Sequence, residues 1–587
     1  MSSGADTTLW IRAFCDELAR AGVREVAVAP GSRSTPLVLA FDADDRFTVR
    51  VHLDERSAAF FALGIGKASG LPAVLVTTSG TATANAFPAV IEAAQSEAPL
   101  LVLTADRPHH LRDSDANQAI DQIRLFGPYV RAFFEVAPPT VRDAALRHLR
   151  ALAGRAVATA RSSPAGPVHL NFPLDKPLEP MEGHAEFLDE HALAGAGRSS
   201  GAPFVQVESG RLQVSSEALD ALLDALDTAR GVIVAGPSSD PVKSGEAASR
   251  LAAATGFPLL ADPLSGARFA PSHGAHVVAG YDLLLRAPDV HAALAPSLVL
   301  RVGASPTSAV LLAWLQTNND VPHIVIDGGG RWKDHGATAT EYVYADAADT
   351  LTALAERAAS SASADWRELW RSAESAVQRA LLSSRGEPHE GEVLATVAAA
   401  VPDGGNLFVS SSMPVRDLDA FAVPRQETVR VFGNRGSSGI DGIVSTAFGV
   451  SAATAQPTVC VIGDVALFHD QNGLLWSREP DAPVVFVLID NDGGGIFHML
   501  PVAERDPAFT KYFSTPHGLD FRHIAEMHGI VFSDGEIDGL GAALAGALES
   551  GRTCILRVRT DRERNVRRHR EVSDAVAEAV RSALTNT

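Results

Sequence analysis

Short apolar runs that close on small polar residues recur along the chain, and a helical stretch follows each of them. Residues 7–21 carry apolar side chains at helical spacing and end before Gly22, which predicts a first helix. The apolar runs in the first part of the chain are VREVAVAPGS, FTVRVHLDE, PAVLVTTSG, PLLVLTADRP and PVHLNFPLDKP. Apolar and polar residues do not alternate within these runs, which is typical of parallel strands that helices cover on both faces. The pattern therefore predicts an α/β fold.

The same pattern begins again twice further along, which indicates three α/β units. The second unit contains ARGVIVAGPSS, PSLVLRVGASPTS and HIVIDGGG, and the third contains NLFVSSSMP, VRVFGNRG, TVCVIGD and PVVFVLIDNDGGG. We predict three doubly wound parallel-sheet domains, of which the first and third share one architecture. The predicted bounds are a first domain over 1–182, a linker over 183–212, a central domain over 213–355, a helical connection over 356–390 and a third domain over 391–587.

The charge balance of the 587 residues excludes several classes of partner. Fifty Lys and Arg face seventy Asp and Glu, a net charge of −20, which disfavours nucleic acid and anionic membrane surfaces. The basic run 562–570 is therefore interpreted as a solvated helix face. Neither a membrane span nor a signal peptide is predicted. The three cysteines match no metal motif or disulfide framework, so we expect a cytoplasmic protein.

Polar residues that could hold a cation follow two strands of the third domain. Strand TVCVI ends at Gly463 and Asp464, and strand PVVFVLID is followed by Asn491 and Gly493. One helical crossover, LFHDQNGLLWSRE, joins these strands, so they should lie parallel with their carboxyl ends on the same crevice. Carboxylate, amide and carbonyl oxygens suit Mg²⁺ with phosphate oxygens. The alternative is that both segments are only turn chemistry.

Two further turns of the third domain precede predicted helices, whose N-termini favour anions. Ser412 is placed as an N-cap with Pro414 in the first turn, and the segment 433–442 (GNRGSSGIDG) lies between a strand and a helical run. One helix N-terminus of this kind is common and indicates little by itself. Four strand-to-helix turns in one domain indicate a ligand site more strongly. In the central domain the GGG at 328–330 is not a GxGxxG fingerprint, so no dinucleotide site is expected there.

The GD-x26-N spacing of the third domain resembles the motif of the thiamine diphosphate enzymes of the pyruvate-oxidase-like superfamily. The resemblance implies thiamine diphosphate as cofactor, with Mg²⁺, or alternatively Mn²⁺, held by Asp464, Asn491 and the Gly493 carbonyl. It assigns the cofactor's pyrimidine to the first domain, where Glu55 follows strand VRVHL and would hydrogen-bond the N1′ atom. Without the resemblance, Glu55 is a first-turn glutamate that interacts with the helix dipole.

Six longer segments resemble one family within that superfamily, the 2-succinyl-5-enolpyruvyl-6-hydroxy-3-cyclohexene-1-carboxylate synthases of the menaquinone pathway. They are APGSRSTPL, DERSAAFFALGIGKASG, TTSGTATANAFPAVIEA, ADRPHHLRDSDANQAIDQ, NRGSSGIDG and DNDGGGIFHMLP. The resemblance implies decarboxylation of 2-oxoglutarate and conjugate addition of the resulting four-carbon carbanion equivalent to isochorismate. It also implies a homodimer or homotetramer in which two chains share each active site.

The two substrates carry carboxylates, and arginine forks suit planar carboxylates. The resemblance places eight residues around the substrates: Ser32, Arg33, Arg107, Asn117, Gln118, Ser412, Arg416 and Arg435. It places Glu55, Gly463, Asp464, Asn491 and Gly493 at the cofactor, together with three apolar residues: Ile440 as its prop, and Ile496 and Phe497 as part of its wall.

The chain departs from the family's pattern at two places. Ser411 stands where asparagine is usual, which puts Ser411 in doubt as a ligand, and the stretch 308–312 lacks a basic pair that some members carry. Two alternatives remain open: another thiamine diphosphate-dependent 2-oxoacid decarboxylase or carboligase, and a catalytically silent binding protein of the same fold. The arginines favour dicarboxylates over pyruvate alone, and the presence of Glu55, Asp464 and Asn491 argues against a silent protein.

Overall fold

A computed structural model of the chain describes residues 3–384, 388–479 and 481–585. Within these ranges the strands form three six-stranded sheets in which every strand pairing is parallel. The predicted class, an α/β protein with three parallel sheets, is confirmed. None of the helices in these ranges is long and apolar enough to span a membrane.

The strands of each sheet follow one another along the chain. The first sheet contains β1 (Glu25–Val28), β2 (Thr48–Val51), β3 (Ala73–Thr77), β4 (Leu100–Asp106), β5 (Ala132–Glu135) and β6 (Pro167–Pro173). The central sheet contains β7 (Gly231–Ala235), β8 (Leu259–Ala261), β9 (Val277–Val278), β10 (Leu298–Val302), β11 (His323–Ile326) and β12 (Glu341–Val343). The third sheet contains β13 (Asn406–Val409), β14 (Arg430–Phe432), β15 (Thr458–Gly463), β16 (Val485–Asp490), β17 (Val531–Gly535) and β18 (Cys554–Arg559).

Helices alternate with these strands. The helices up to the end of the first sheet and its following segment are α1 (Gly4–Arg20), α2 (Thr35–Asp42), α3 (Glu55–Ser69), α4 (Thr81–Asn85), α5 (Phe87–Gln95), α6 (Asp143–Arg161), α7 (Ala185–Glu190) and α8 (Ala192–Gly195). Those up to the third sheet are α9 (Ser216–Leu226), α10 (Pro241–Thr255), α11 (Tyr281–Leu284), α12 (Ala309–Thr317), α13 (Ala347–Arg357), α14 (Ala364–Ser383) and α15 (Glu390–Ala400). The remaining helices are α16 (Met413–Phe421), α17 (Ile443–Thr454), α18 (Asp464–His469), α19 (Arg522–His528), α20 (Leu540–Glu549) and α21 (Arg562–Thr585).

The strand orders bear out the prediction that one architecture is used twice. The first sheet runs β2-β1-β3-β4-β6-β5 and the third runs β14-β13-β15-β16-β18-β17, which is the same order in position. The central sheet differs, with β12-β11-β10-β7-β8-β9. The order reverses between β1 and β3, between β13 and β15, and between β7 and β10. Crevices that bind ligands in such sheets open at these switch points, beyond the carboxyl ends of the strands.

Most predicted elements are present, and the differences have physical reasons. The crossover LFHDQNGLLWSRE is not one helix: α18 ends at His469 and a 3₁₀ helix, Gln471–Arg478, follows. Asp470 lies between the two, and its buried carboxylate accepts hydrogen bonds from the N–H and Oγ of Ser445. The predicted linker contains the short helices α7 and α8. The predicted domain boundaries as such remain a prediction.

Two compact units divide the chain. The first comprises Met1–Gly210, Asn434–Ala455 and His469–Ala482, and contains the first sheet; the second comprises Arg211–Gly433, Gln456–Phe468 and Pro483–Thr587, and contains the other two sheets. Each unit has its own apolar core, which the sheet strands and their flanking helices build. Cys15, Cys460 and Cys554 are all buried.

Helices α3 and α17 pack closely within the first unit because glycines leave room for the backbone. A Cβ at Gly64 would lie 2.2 Å from the Thr446 carbonyl oxygen, and one at Gly449 would lie 2.1 Å from the Phe61 carbonyl oxygen. Both are shorter than any ordinary contact, and backbone atoms cannot give way as a flexible side chain can. The two helices therefore depend on these glycines for their separation.

We expect Gly64→Ala to destabilise the protein by about 1–3 kcal/mol, because the added methyl group overpacks this contact. The matched control is Gly546→Ala in α20, where the site is exposed and no atom lies within 4 Å of the added Cβ. Alanine is the better helix former, so the control should be neutral or slightly stabilising. Thermal melts of both variants check this, and equal melting temperatures would contradict the close packing.

Candidate active site

The turns after β15 and β16 meet at one edge of the third sheet, as the sequence predicts. The strands pair in parallel, with Gly463 opposite Ile489. The Asp464 carboxylate is buried at the end of β15, and its Oδ2 accepts hydrogen bonds from the Asn491 N–H at 3.1 Å and the Gly493 N–H at 3.0 Å. One carboxylate thus holds the turn that follows the neighbouring strand.

Asp492 and His517 extend this arrangement through contacts with each other and with Asp464. His517 Nε2 lies 3.3 Å from Asp464 Oδ2, and its Nδ1 lies 3.4 Å from Asp492 Oδ1. Asp492 Oδ1 also accepts the backbone N–H groups of His517 and Gly518. Burial acts to raise the pKa of Asp492, but these N–H donors outweigh it and lower the pKa below the usual range.

The side-chain amide of Asn491 hydrogen-bonds to the protein through its nitrogen, whereas its oxygen has no hydrogen-bond partner among the described residues. Its Nδ2 donates to Glu390 Oε1 at 2.9 Å, and Thr560 Oγ1 donates to the same oxygen at 2.8 Å. Glu390 is buried, and burial raises its pKa against the effect of these two hydrogen bonds. Asn491 Oδ1 is buried and has no hydrogen-bond partner within the described ranges. Such an oxygen calls for a donor or a cation.

These residues fit a hard divalent cation. Mg²⁺ takes oxygen ligands and commonly uses one or two carboxylates, with substrate phosphates completing its shell. Asp464 supplies one carboxylate, and the orphaned Asn491 Oδ1 supplies an amide oxygen beside it. The part of the chain that the structure describes contains no cluster of three or more His, Cys, Asp or Glu suited to a metal. A cation here would therefore depend on amide and carbonyl oxygens.

Ser412 occupies an unusual backbone conformation at the end of β13. It stands at the N-cap position of α16, as predicted, but with φ 72° and ψ −128°. Pro414 lies in the first turn, also as predicted, and among the described residues the Ser412 side chain makes no capping hydrogen bond, which would require an extended backbone. Arg416 donates from Nη1 to the Ser412 carbonyl oxygen at 2.5 Å. Backbone strain of this kind concentrates at functional sites.

In the first sheet, Ser32 and Arg33 follow β1 at the switch point with β3. Arg33 is 5% exposed, and its Nη1 donates to the Leu174 carbonyl oxygen at 2.8 Å. Its Nε is buried without a hydrogen-bond partner among the described residues. Burial and, after it, the positive charge of Arg107 lower the pKa of Arg33. The negative charges of Asp175 and Asp106 act in the opposite direction on this pKa.

The segment after β4 carries the other predicted residues of this unit. Arg107 donates to the Asn117 carbonyl oxygen from Nη2 at 2.8 Å. Gln118 Nε2 donates to the Ser79 carbonyl oxygen, and Ser79 Oγ donates back to the Gln118 carbonyl oxygen at 2.8 Å. Buried Gln122 accepts the Gly80 N–H and so fixes the segment to the turn after β3. The structure therefore brings Arg33, Arg107, Asn117 and Gln118 to one edge of the first sheet.

Glu55 is the first residue of α3 and is half-buried. Asn85 Nδ2 donates to its Oε2 at 3.3 Å. The helix is capped by Asp54, whose side chain accepts the Arg56 and Ser57 N–H groups. This position agrees with both interpretations of Glu55: a first-turn glutamate that interacts with the helix dipole, and a glutamate that hydrogen-bonds the pyrimidine of the cofactor.

A buried glutamate holds the 434–442 loop in the first unit. Glu92 accepts the Gly436 N–H at 3.0 Å and the Ser437 N–H at 2.7 Å, and Lys67 Nζ lies 2.8 Å from the same carboxylate. Arg435 and Ile440 are on this loop, so their positions depend on Glu92. In the second unit, half-buried Ile496 and Phe497 lie on the 3₁₀ helix Gly495–Met499.

Four polar residues around these sites were not predicted from the sequence as site residues: Glu390, His517, Arg562 and Glu92. Arg562 Nη1 donates to the Asp492 carbonyl oxygen, and the other three make the contacts described above. Each is distant in sequence from the group it contacts. Glu390 and His517 belong to no motif, and the patterns that contain Glu92 (TTSGTATANAFPAVIEA) and Arg562 (the basic run 562–570) do not indicate these contacts. Folding alone brings them in, so no local signal could have identified them. The basic run 562–570 does form a helix, with Arg564, Arg567 and Arg570 exposed as predicted.

Backbone hydrogen bonds join the two turns at the switch point of the central sheet. The Gly236 N–H donates to the Val302 carbonyl oxygen, and the Ala304 N–H donates to the Pro237 carbonyl oxygen at 2.7 Å. The turns after β7 and β10 thus bond to each other. Ser308, in the stretch without a basic pair, caps α12.

Comparison with protein families identifies the class. Residues 11–125 match the thiamine pyrophosphate enzyme N-terminal TPP binding domain, 198–409 match the middle domain of thiamine pyrophosphate enzymes, and 420–558 match the C-terminal TPP binding domain. The first segment contains β1 to β4, the second contains β7 to β13, and the third contains β14 to β17 and most of β18. The chain is thus a thiamine pyrophosphate (thiamine diphosphate) enzyme by sequence and by fold.

Comparison with curated relatives identifies one family within the thiamine diphosphate enzymes. A 2-succinyl-5-enolpyruvyl-6-hydroxy-3-cyclohexene-1-carboxylate synthase of Halobacterium salinarum is 48% identical over 98% of this chain and 99% of its own length. Synthases of the same name from Chloroflexus aurantiacus and Geobacillus kaustophilus are each 43% identical over 98% of this chain, and over 97% and 99% of their own lengths. The chain belongs to the family of 2-succinyl-5-enolpyruvyl-6-hydroxy-3-cyclohexene-1-carboxylate synthases.

We expect Glu92→Gln to loosen the 434–442 loop, because the amide cannot accept both N–H groups and pair with Lys67. Removing one partner of a buried ion pair typically costs about 3–5 kcal/mol. Hydrogen exchange of the Gly436 and Ser437 amides should accelerate by at least about tenfold, which corresponds to about 1.4 kcal/mol. Glu246→Gln is the control, since Glu246 pairs with Arg250 on the surface. Unchanged exchange at 436–437 would contradict the clamp.

Proposed function

We propose that this protein is a thiamine diphosphate-dependent transferase of menaquinone biosynthesis. It decarboxylates 2-oxoglutarate and adds the remaining four-carbon unit to isochorismate, giving 2-succinyl-5-enolpyruvyl-6-hydroxy-3-cyclohexene-1-carboxylate. The observation that carries this proposal is the near-full-length likeness to synthases that bear the name of this product, at 48% identity for the relative from H. salinarum. The site residues below are part of the same proposal.

The metal and diphosphate belong to the third sheet in this proposal. Asp464, Asn491 and the Gly493 carbonyl hold Mg²⁺, or Mn²⁺ in its place, with Gly463 beside them. The buried Asn491 Oδ1 without a partner within the described ranges supports this set. Ile440, Ile496 and Phe497 supply apolar contacts to the cofactor. When bound, thiamine diphosphate supplies the electron sink that lets a 2-oxo acid lose carbon dioxide.

Glu55 is the proposed catalytic residue. Its carboxyl group holds a proton at N1′ of the cofactor's pyrimidine, which is general acid–base work by a positioned side chain. Its place as the first residue of α3, with Asn85 beside it, supports a fixed orientation.

Arginines recognise the carboxylates of the two substrates. Arg416, with Ser412, faces 2-oxoglutarate, because α16 begins at the same edge as Asp464. Arg33 and Arg107 face isochorismate, and their location at one edge of the first sheet supports this assignment. Ser32, Asn117, Gln118 and Arg435 complete the substrate contacts. A guanidinium group gives two parallel hydrogen bonds to a carboxylate, which fixes orientation as well as charge.

Two chains share each active site in this proposal, so the smallest active form is a homodimer, and a homotetramer is compatible with it. The family resemblance supports it. The net charge of −20 and the three buried cysteines support a cytoplasmic protein without nucleic-acid partners. Another thiamine diphosphate-dependent decarboxylase is not favoured, because the relatives carry one name over nearly their full lengths.

The reaction itself provides the direct test. The purified protein, incubated with thiamine diphosphate, Mg²⁺, 2-oxoglutarate and isochorismate, should yield a product with the mass of 2-succinyl-5-enolpyruvyl-6-hydroxy-3-cyclohexene-1-carboxylate. Omission of isochorismate is the control and should abolish that mass. If pyruvate replaces 2-oxoglutarate without loss of rate, the protein is a different carboligase.

Complementation between inactive chains tests the shared site. Glu55→Gln should lower the rate at least about 100-fold through loss of the acid–base group. Asp464→Ala should remove the metal and the cofactor with it. In a mixed dimer one of the two sites contains both native residues, so about half of the wild-type activity per mixed dimer should return. Verified mixed dimers without recovery would place the whole site within one chain.

A further inference from the structure

Glu390 is the only charged group that contacts the Asn491 side chain among the hydrogen bonds and ion pairs of the described residues. It is 1% exposed and stands at the first position of α15, outside every motif that the sequence analysis used. Its Oε1 accepts from Asn491 Nδ2 at 2.9 Å and from Thr560 Oγ1 at 2.8 Å, while its own N–H donates to Asn565 Oδ1 at 3.0 Å. Asn491 and Thr560 thus hold the carboxyl group of Glu390, and Asn565 holds its backbone.

An asparagine amide has two ends of nearly equal size and opposite hydrogen-bonding character. A cation accepts only the oxygen end as ligand, so a freely rotating amide presents the wrong end part of the time. With an acceptor oxygen 2.9 Å away, the end that faces Glu390 must be Nδ2, since two facing oxygens would repel each other. The other end, Oδ1, then points away from Glu390, where it is buried without a partner in the described ranges.

We propose that Glu390 is a positioning residue for the metal centre: it holds the Asn491 amide by its nitrogen and so commits the oxygen to the cation. This inference rests on the proposed function, in which Asn491 is a metal ligand. Groups that orient ligands in this way typically change metal affinity by about 10–100-fold when they are removed. Among the proposed metal ligands, Glu390 hydrogen-bonds to Asn491, so its positioning effect passes through that side chain.

Metal affinity is the direct measurement, and it needs no turnover. Electron paramagnetic resonance gives the Mn²⁺ dissociation constant of the full-length protein with thiamine diphosphate in excess. Glu390→Leu should weaken Mn²⁺ binding about 10–100-fold. Glu390→Gln keeps an oxygen that can accept from Nδ2, so its loss should stay below about fivefold. Thermal melts verify that each variant is folded.

Rescue at position 491 separates a positioning role from a general structural one. An aspartate presents oxygen from either end, so Asn491→Asp combined with Glu390→Leu should restore Mn²⁺ affinity to within about threefold of wild type. In an Asn491→Ala chain, adding Glu390→Leu should change the affinity no further, because the residue through which Glu390 acts is gone. A Glu390→Leu defect that persists in both backgrounds would overturn the proposal.

Glu374 offers a matched control. It is also buried in the second unit and accepts a side-chain amide hydrogen bond, from Gln378 Nε2 at 2.9 Å, but it contacts no proposed ligand. Glu374→Leu should leave Mn²⁺ affinity within about twofold of wild type.

Asp464→Ala distinguishes a failure of the proposed metal site from a failure of the proposed role of Glu390. If Asp464→Ala binds Mn²⁺ as wild type does, the metal site of the proposed function is wrong and the inference falls with it. If Asp464→Ala loses Mn²⁺ while Glu390→Leu retains it, the metal site stands and only the role of Glu390 is refuted.

Discussion

Parallel pairing between fully buried strands is the constraint on which both candidate sites depend. Each buried strand must satisfy its backbone N–H and C=O groups within the sheet, and parallel neighbours then end at the same edge. In the third sheet this brings the turns after β15 and β16 close enough for one carboxylate, Asp464, to accept N–H groups from both Asn491 and Gly493. The equivalent edge of the first sheet gathers Arg33 and the segment after β4. Position in the sheet therefore explains why residues distant in sequence act together.

Buried carboxylates at these edges hold loops and side chains in place by accepting hydrogen bonds from them. Glu92 holds the 434–442 loop, Asp464 holds the 491–493 turn, and Glu390 holds an amide side chain. A further example in the second unit is Asp419, which accepts hydrogen bonds from Arg268 at 2.6 Å and from Tyr281 at 2.5 Å, and so ties α16 to the segment after β8. Burial raises the pKa of Asp419 to about 7, against the effect of Arg268. In each case the polar group is costly to bury and is matched by several donors.

The parts of the structure that the sequence predicts are those that local chemistry determines. Apolar runs indicated the buried strands, and the strand–turn spacing around Asp464 and Asn491 predicted their convergence. Two edge strands, β5 and β17, escaped prediction. Both are half-exposed and lack a continuous apolar run, so partner strands rather than composition determine them. The same holds for Glu390 and His517, whose roles exist only after the chain has folded. The φ of 72° at Ser412 was also beyond prediction, because serine normally avoids that region and only the surrounding structure imposes it.

The backbone at Ser412 has a consequence for protein engineering. By conformational energy alone, glycine is the preferred residue at φ 72° and ψ −128°, and strain of this kind costs about 1–3 kcal/mol. A procedure that optimises melting temperature would therefore select glycine at position 412 and delete a hydroxyl group from the edge where Asp464 lies. At position 412, stability therefore favours glycine, whereas the proposed chemistry requires the serine hydroxyl group. Redesign of this chain for durability should therefore keep Ser412 fixed and seek its gains on exposed helix surfaces such as that of α20.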